Sequence, residues 1–115
     1  MLSKNTRACS RVNILLMVQF SLGDGLEPDL VSTGMTRDLS QSGIFVQTSR
    51  LPSVGDRLSL TLYLTSKDRV NVGGEVIRLV SQTEAREMTV RPGFGARVTD
   101  ASGRYQKFVL STGAV

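Results

Sequence analysis

The sequence predicts an all-β fold: a six-stranded antiparallel β-barrel with a short C-terminal α-helix. Three observations carry this. Short runs of alternating apolar and polar residues recur along the chain. Turn signals rich in Gly, Pro and Asp separate them. No helical segments alternate with the strands, as a parallel α/β fold would need. A length of 115 residues with 40% hydrophobic positions suits one compact domain and leaves no room for a second. Aromatic content is 5% with no Trp, so the core falls to Val, Leu, Ile and Met, which favours strands over ring-lined pockets.

Residues 1–11 are polar and basic without periodicity and read as a flexible arm, with the folded domain spanning 12–115. From Val12 to Phe20, Val12, Ile14, Leu16, Val18 and Phe20 alternate with Asn13, Leu15, Met17 and Gln19, the period of a half-buried strand. Gly23-Asp24-Gly25 and Glu27-Pro28-Asp29 form a connecting loop. A second strand is expected over Leu30 to Arg37 and a third over Ile44 to Thr48, with a polar turn from Asp38 to Gly43 between them. After the turn at Leu51 to Asp56, Leu58, Leu60, Leu62 and Leu64 alternate with polar neighbours in a fourth strand. Lys67-Asp68-Arg69 closes a hairpin into a fifth strand over Val70 to Val80, in which Gly73-Gly74 marks a bulge or a sharp bend. The charged stretch from Gln82 to Pro92 reads as an exposed loop before a sixth strand, Phe94 to Val98. Behind a Ser102 cap, Tyr105, Phe108 and Val109 have the spacing of a short helix.

Fourteen Lys and Arg against ten Asp and Glu give a formal charge of +4, which points to an anionic partner. Arg supplies 11 of those cations, and its planar fork grips phosphate or guanine bidentately, so a nucleotide or nucleic acid is favoured over a membrane. Histidine is absent, which removes the commonest general base and the commonest metal ligand together. There is no Walker-type glycine loop and no cysteine cluster, so neither an enzyme nor a metal site is expected. The single Cys9 fits a reducing compartment. The N-terminus lacks the apolar segment of a signal peptide, and the longest apolar run, Ile14 to Val18, is too short to span a bilayer, so a cytoplasmic protein is expected.

Two motifs carry chemistry. The first is Arg7-Ala8-Cys9-Ser10-Arg11, in which two permanently charged planar donors can hold one compact anion. In a chain this rich in arginine the spacing arises about once by chance. The second is Asp38-Leu39-Ser40-Gln41-Ser42-Gly43, whose pattern arises only roughly 0.1 times by chance. An ionised Asp38 only accepts hydrogen bonds, which suits the N1–H and N2–H donors of guanine, and the Ser40 hydroxyl can accept or donate beside it. Gly43 permits a positive φ and close backbone approach to a ligand. The bland alternative is a turn whose Asp and Ser side chains cap their own backbone.

In order and context, a basic arm, a strand, a second strand and then the polar turn, the chain resembles the PilZ domain family of cyclic di-GMP receptors. The family signature, Arg-x-x-x-Arg followed by Asp/Asn-x-Ser-x-x-Gly, is intact as Arg7/Arg11 and Asp38/Ser40/Gly43. Gly55-Asp56, Gly74-Glu75-Val76 and Pro92 to Val98 also look like positions of that family. The resemblance implies a split-barrel type of six-stranded barrel with a C-terminal helix, whose arginine arm folds over cyclic di-GMP on the outer face. It implies that Arg7 and Arg11 grip phosphates and guanine Hoogsteen edges, that Asp38 and Ser40 read guanine polar edges, and that the changed surface signals to an unidentified downstream protein. No other cofactor is implied. Many relatives carry a further arginine directly before the pair and bind an intercalated ligand dimer; Thr6 at that position favours one ligand molecule. Motility, surface attachment, polysaccharide secretion and virulence are the processes the family suggests, and a monomer or weak dimer is expected.

Arg37, beside the turn, adds positive field or is simply solvated. Arg78, Arg86, Arg91 and Arg97 suggest a nucleic-acid stripe, but they lie among Glu84 and Glu87 with few stacking aromatics. Cys9 lies between the two arginines, where a thiolate would be stabilised and its oxidation would interfere with binding. Two rivals to the receptor stand beside it: a module of the same fold that binds proteins without the ligand, and a small barrel that binds single-stranded nucleic acid.

Overall fold

Period-two alternation lets a sheet curl around an apolar interior. In the computed structural model, which describes residues 13–22, 31–88, 90–101 and 103–112, six strands do this. They are β1 (Met17–Leu22), β2 (Ser32–Leu39), β3 (Gly43–Gln47), β4 (Arg57–Tyr63), β5 (Arg69–Val80) and β6 (Gly93–Ala101). They pair antiparallel in the order β1-β2-β3-β6-β5-β4 and close, so that these strands present no free sheet edge. Leu58, Leu60 and Leu62 of β4 point inward with Val18 and Phe20 of β1, while Ser59, Thr61 and Tyr63 face out. Phe20 meets Phe94 of β6 edge-on across the interior, with ring centroids 5.1 Å apart.

Two helices complete the described fold, α1 (Gln82–Met88) and α2 (Gly103–Ser111). The second is the helix the spacing predicts; it buries Tyr105 and Val109 against the barrel core and packs Phe108 beside them. Its expected cap, Ser102, lies outside the described residues.

α1 replaces the exposed loop expected over Gln82 to Pro92. Ser81 caps it: the Glu84 N–H donates to Ser81 Oγ at 3.1 Å, and Ser81 Oγ donates to Glu84 Oε1 at 3.3 Å. Ala85, on the inner side of this helix of about two turns, packs on Phe45 and Val80 against the outside of the barrel.

The strand bounds shift as well. The alternation around Val18 is in the expected phase, with Leu16 buried and Leu15 exposed, but β1 begins at Met17. The reason is Thr36 of β2, fully buried opposite Leu16. The Thr36 N–H donates to the Leu16 carbonyl at 2.8 Å, but the Leu16 N–H donates to Thr36 Oγ1 at 2.8 Å and that Oγ1 donates to the Ile14 carbonyl at 2.5 Å, so a side chain takes the place of the return ladder bond. The Gly73-Gly74 irregularity is present: the register with β6 shifts there, Gly73 pairing Asp100 and Gly74 pairing Val98.

Candidate functional site

Two β-bulges shape the outer wall of the barrel. In β2, Thr36 pairs with Val46 and Asp38 with Phe45, so Arg37 is an extra residue without a partner in β3. In β5, Val76 pairs with Ala96 and Arg78 with Gly95, so Ile77 is extra. A bulge rotates the strand, and neighbours that would point to opposite faces come to the same one. Arg37 and Asp38 therefore both stand on the outer wall, between Thr36 and Leu39, which are buried inside. Ile77 and Arg78 do the same on the far side.

Between the bulges, β3 and β6 form a floor. Phe45 of β3 points outward yet is only 3% exposed. Its ring is hemmed in by Val80 and Ala85 and lies close above β6, where a Cβ on Gly93 would come within 2.8 Å of the ring. Over the ring stands the Arg37 guanidinium, 3.9 Å from the centroid, with that of Arg78 at 5.6 Å. Gly95 lets Arg78 lie down: a Cβ there would come within 3.0 Å of Arg78 Cγ. The result is a cleft of about 530 Å³ lined by Arg37, Asp38, Gly43, Phe45, Arg78 and Arg97, among others.

The charges in this cleft are organised. Arg37 Nε donates to Asp38 Oδ2 at 3.1 Å, and Arg97 pairs with Glu75 at 2.5 Å. Among the described residues no carboxylate pairs with Arg78. Three guanidiniums and a largely buried carboxylate line one cleft, a set that can receive an anion that also carries hydrogen-bond donors. A second cleft of about 520 Å³, lined by Gln19, Ser59, Thr61 and Asn71 among others, has Asp100 as its one charged residue and offers an anion no cation.

The predicted site residues divide. Asp38 and Gly43 line the cleft, whereas Ser40 lies beneath it, 2% exposed. The Ser40 hydroxyl accepts from the N–H groups of Ser42 and Gly43, at 3.3 and 3.1 Å, and donates to the Gly43 carbonyl at 3.4 Å. It thus ties the turn to itself, as the bland alternative foresees, and Tyr105 holds it from below by donating to the Ser40 carbonyl at 2.5 Å. Asp38 and Leu39 belong to β2, so the turn proper is Ser40 to Ser42. Gly43 opens β3; the positive φ among the described glycines is at Gly55, 94°. Arg7, Arg11, Thr6 and Cys9 lie outside the described residues.

The sequence places Arg37 beside the turn and Arg78 and Arg97 in a candidate stripe, and assigns none of them to the site; all three line the cleft. Arg78 and Arg97 belong to the cleft and Arg86 and Arg91 do not, so these four compose no stripe. Among the described residues no cluster of His, Cys, Asp or Glu could hold a metal, and no helix is long and apolar enough to cross a membrane.

The family model of the PilZ domain matches residues 5–109. Solved structures share the fold. The Bacillus subtilis inhibitor of motility, MotI/DgrA, superposes with a TM-score of 0.72 at 16% identity over 94% of this chain; the match spans 49% of that protein, about half its length. The PilZ domain of Escherichia coli YcgR with c-di-GMP gives 0.62 at 15% identity, over 95% of this chain and 92% of that one. The PilZ domain of CeSA from a cellulose-synthesizing bacterium gives 0.56 at 20% identity, over 88% and 90%. No curated protein matches the sequence.

Proposed function

The chain belongs to the PilZ domain family, and from that premise we propose that it is a receptor for cyclic di-GMP, bound in the cleft between the two bulges. The observation that carries this reading is Asp38, a carboxylate largely buried among the arginines of an outer-wall cleft, where a guanine edge and a phosphate can be met together. Asp38 accepts from guanine N1–H and N2–H, and Arg78 and Arg97 meet the phosphates and the base.

Arg7 and Arg11 complete the site. The chain is pinned at Ile14 by Thr36, the residue next to Arg37. Two residues lie between that anchor and Arg11, and the three chain steps span at most about 11 Å. The described chain that follows the arm is therefore fastened to the strand that carries Arg37 and Asp38.

The receptor is cytoplasmic and non-enzymatic in this reading: it signals through its changed surface to a partner protein, with motility or surface attachment as the process governed. YcgR, solved with c-di-GMP, supports the ligand by analogy of fold. The single-stranded nucleic-acid rival needs open aromatic platforms, and the Phe45 ring is covered by arginine and by α1. A ligand-free interaction module would have no use for the intact pair of motifs.

Titration calorimetry with cyclic di-GMP tests the reading. Arg7→Ala and Arg11→Ala should each abolish measurable binding, and Asp38→Ala should weaken guanine recognition more than phosphate attraction. Wild-type affinity in either arginine variant would refute the assignment.

A further inference from the structure

In a regular strand, adjacent residues face opposite sides of the sheet and cannot bond side chain to side chain across one wall. The bulge in β2 removes that restriction for one pair. Arg37, the inserted residue, and Asp38, the next, stand side by side on the outer wall, and Arg37 Nε donates to Asp38 Oδ2 at 3.1 Å. On its other side the same guanidinium stands over Phe45, its Cζ 3.9 Å from the ring centroid. Phe45 is in turn fixed by Val80, Ala85 and the glycine floor of β6. An arginine on the barrel surface thus has a partner on two sides, a carboxylate and a buried ring.

We infer that Arg37 is a positioning residue for base recognition: held on Phe45, it orients the Asp38 carboxylate and so sets the preference of the site for guanine over adenine. The inference rests on the ligand reading above and deepens it. A carboxylate offers about four acceptor sites, so the bond from Arg37 Nε does not by itself exclude bonds from a purine edge. Guanine presents two donors there, N1–H and N2–H. Adenine presents an acceptor at N1, which an aimed carboxylate repels and a loose one avoids by turning away.

Charge alone does not reproduce this. A cationic residue at position 37 attracts the phosphates of any cyclic dinucleotide equally. Only a planar group can lie on the ring and donate sideways to Asp38 at once, which an ammonium on a flexible stem does not do.

The test is base selectivity. Cyclic di-GMP is titrated directly, and cyclic di-AMP by competition, against wild type, Arg37→Lys and Phe45→Leu, with thermal melts confirming that each variant folds. Arg37→Lys should lose about tenfold in affinity for cyclic di-GMP, within the worth of one bidentate base contact, while its affinity for cyclic di-AMP stays level. Phe45→Leu, which keeps the charge and removes the platform, should shrink the ratio in the same direction. A wild-type ratio in Arg37→Lys, or a loss of equal factor for both dinucleotides, overturns the positioning role and leaves the receptor standing. A wild-type protein that takes up neither dinucleotide overturns both.

Discussion

Thr36 shows how one hydroxyl can organise a site it does not touch. It lies inside the barrel, where valine would fit as well, yet its Oγ1 serves the Leu16 N–H and the Ile14 carbonyl together. Those two bonds fasten the chain that leads from Arg11 into β1, one position away from the bulge that presents Arg37 and Asp38. Thr36→Val keeps the shape and strands both polar groups. An unpaired buried group costs about 1–3 kcal/mol, so urea unfolding should show a lower midpoint by that order with an unchanged slope. If the fastening serves the arm, affinity for cyclic di-GMP should fall as well. A variant that is destabilised but binds with full affinity would show that Thr36 serves the barrel alone.

At the scale of elements, the helices attach the barrel to the site from opposite sides. α1 backs Phe45, while α2 reaches through the core to the turn, where Tyr105 donates to the Ser40 carbonyl. Tyr105→Phe leaves that carbonyl without its donor at no cost in volume. Hydrogen exchange should quicken at residues 40–43 and along α2, and stability should drop by about 1–3 kcal/mol; unchanged protection at the turn would show that the bond contributes nothing there. Much of this arrangement is legible in the residues themselves. The leucine alternation of β4, the helical spacing of Tyr105 and Val109, and the placement of Asp38 and Gly43 at one joint all follow from local pattern. α1 is announced by Ser81 and Glu84 at capping spacing, a signal hidden by the charge of the segment around it. The bulges at Arg37 and Ile77 have no such mark. A bulge is a mismatch of length between two paired strands, a property of the pair, and it alone brings Arg37 and Arg78 into the cleft.

For the molecule as a whole, closure of the barrel separates what holds the fold from what holds the ligand. The interior is filled by residues such as Leu62, fully buried between β1 and β5, whereas the proposed site lies on the outer wall of β2, β3, β6 and β5 with an arm that precedes β1. A ligand that binds only the folded state at a hundred times its dissociation constant adds about 2.7 kcal/mol. In a domain of this size that raises the melting temperature by roughly 10 °C. Two substitutions should divide the effects. Arg11→Ala, which precedes the described strands in sequence, should leave the ligand-free melting temperature in place and lose the ligand-induced rise. Leu62→Ala, which opens a cavity in the core, should lower the ligand-free value by the equivalent of about 2–5 kcal/mol and keep most of the rise at matched saturation. Differential scanning fluorimetry with and without cyclic di-GMP reads both. Loss of the rise in Leu62→Ala with an intact rise in Arg11→Ala would place the ligand's contacts in the barrel interior, and the outer-wall site would have to be abandoned.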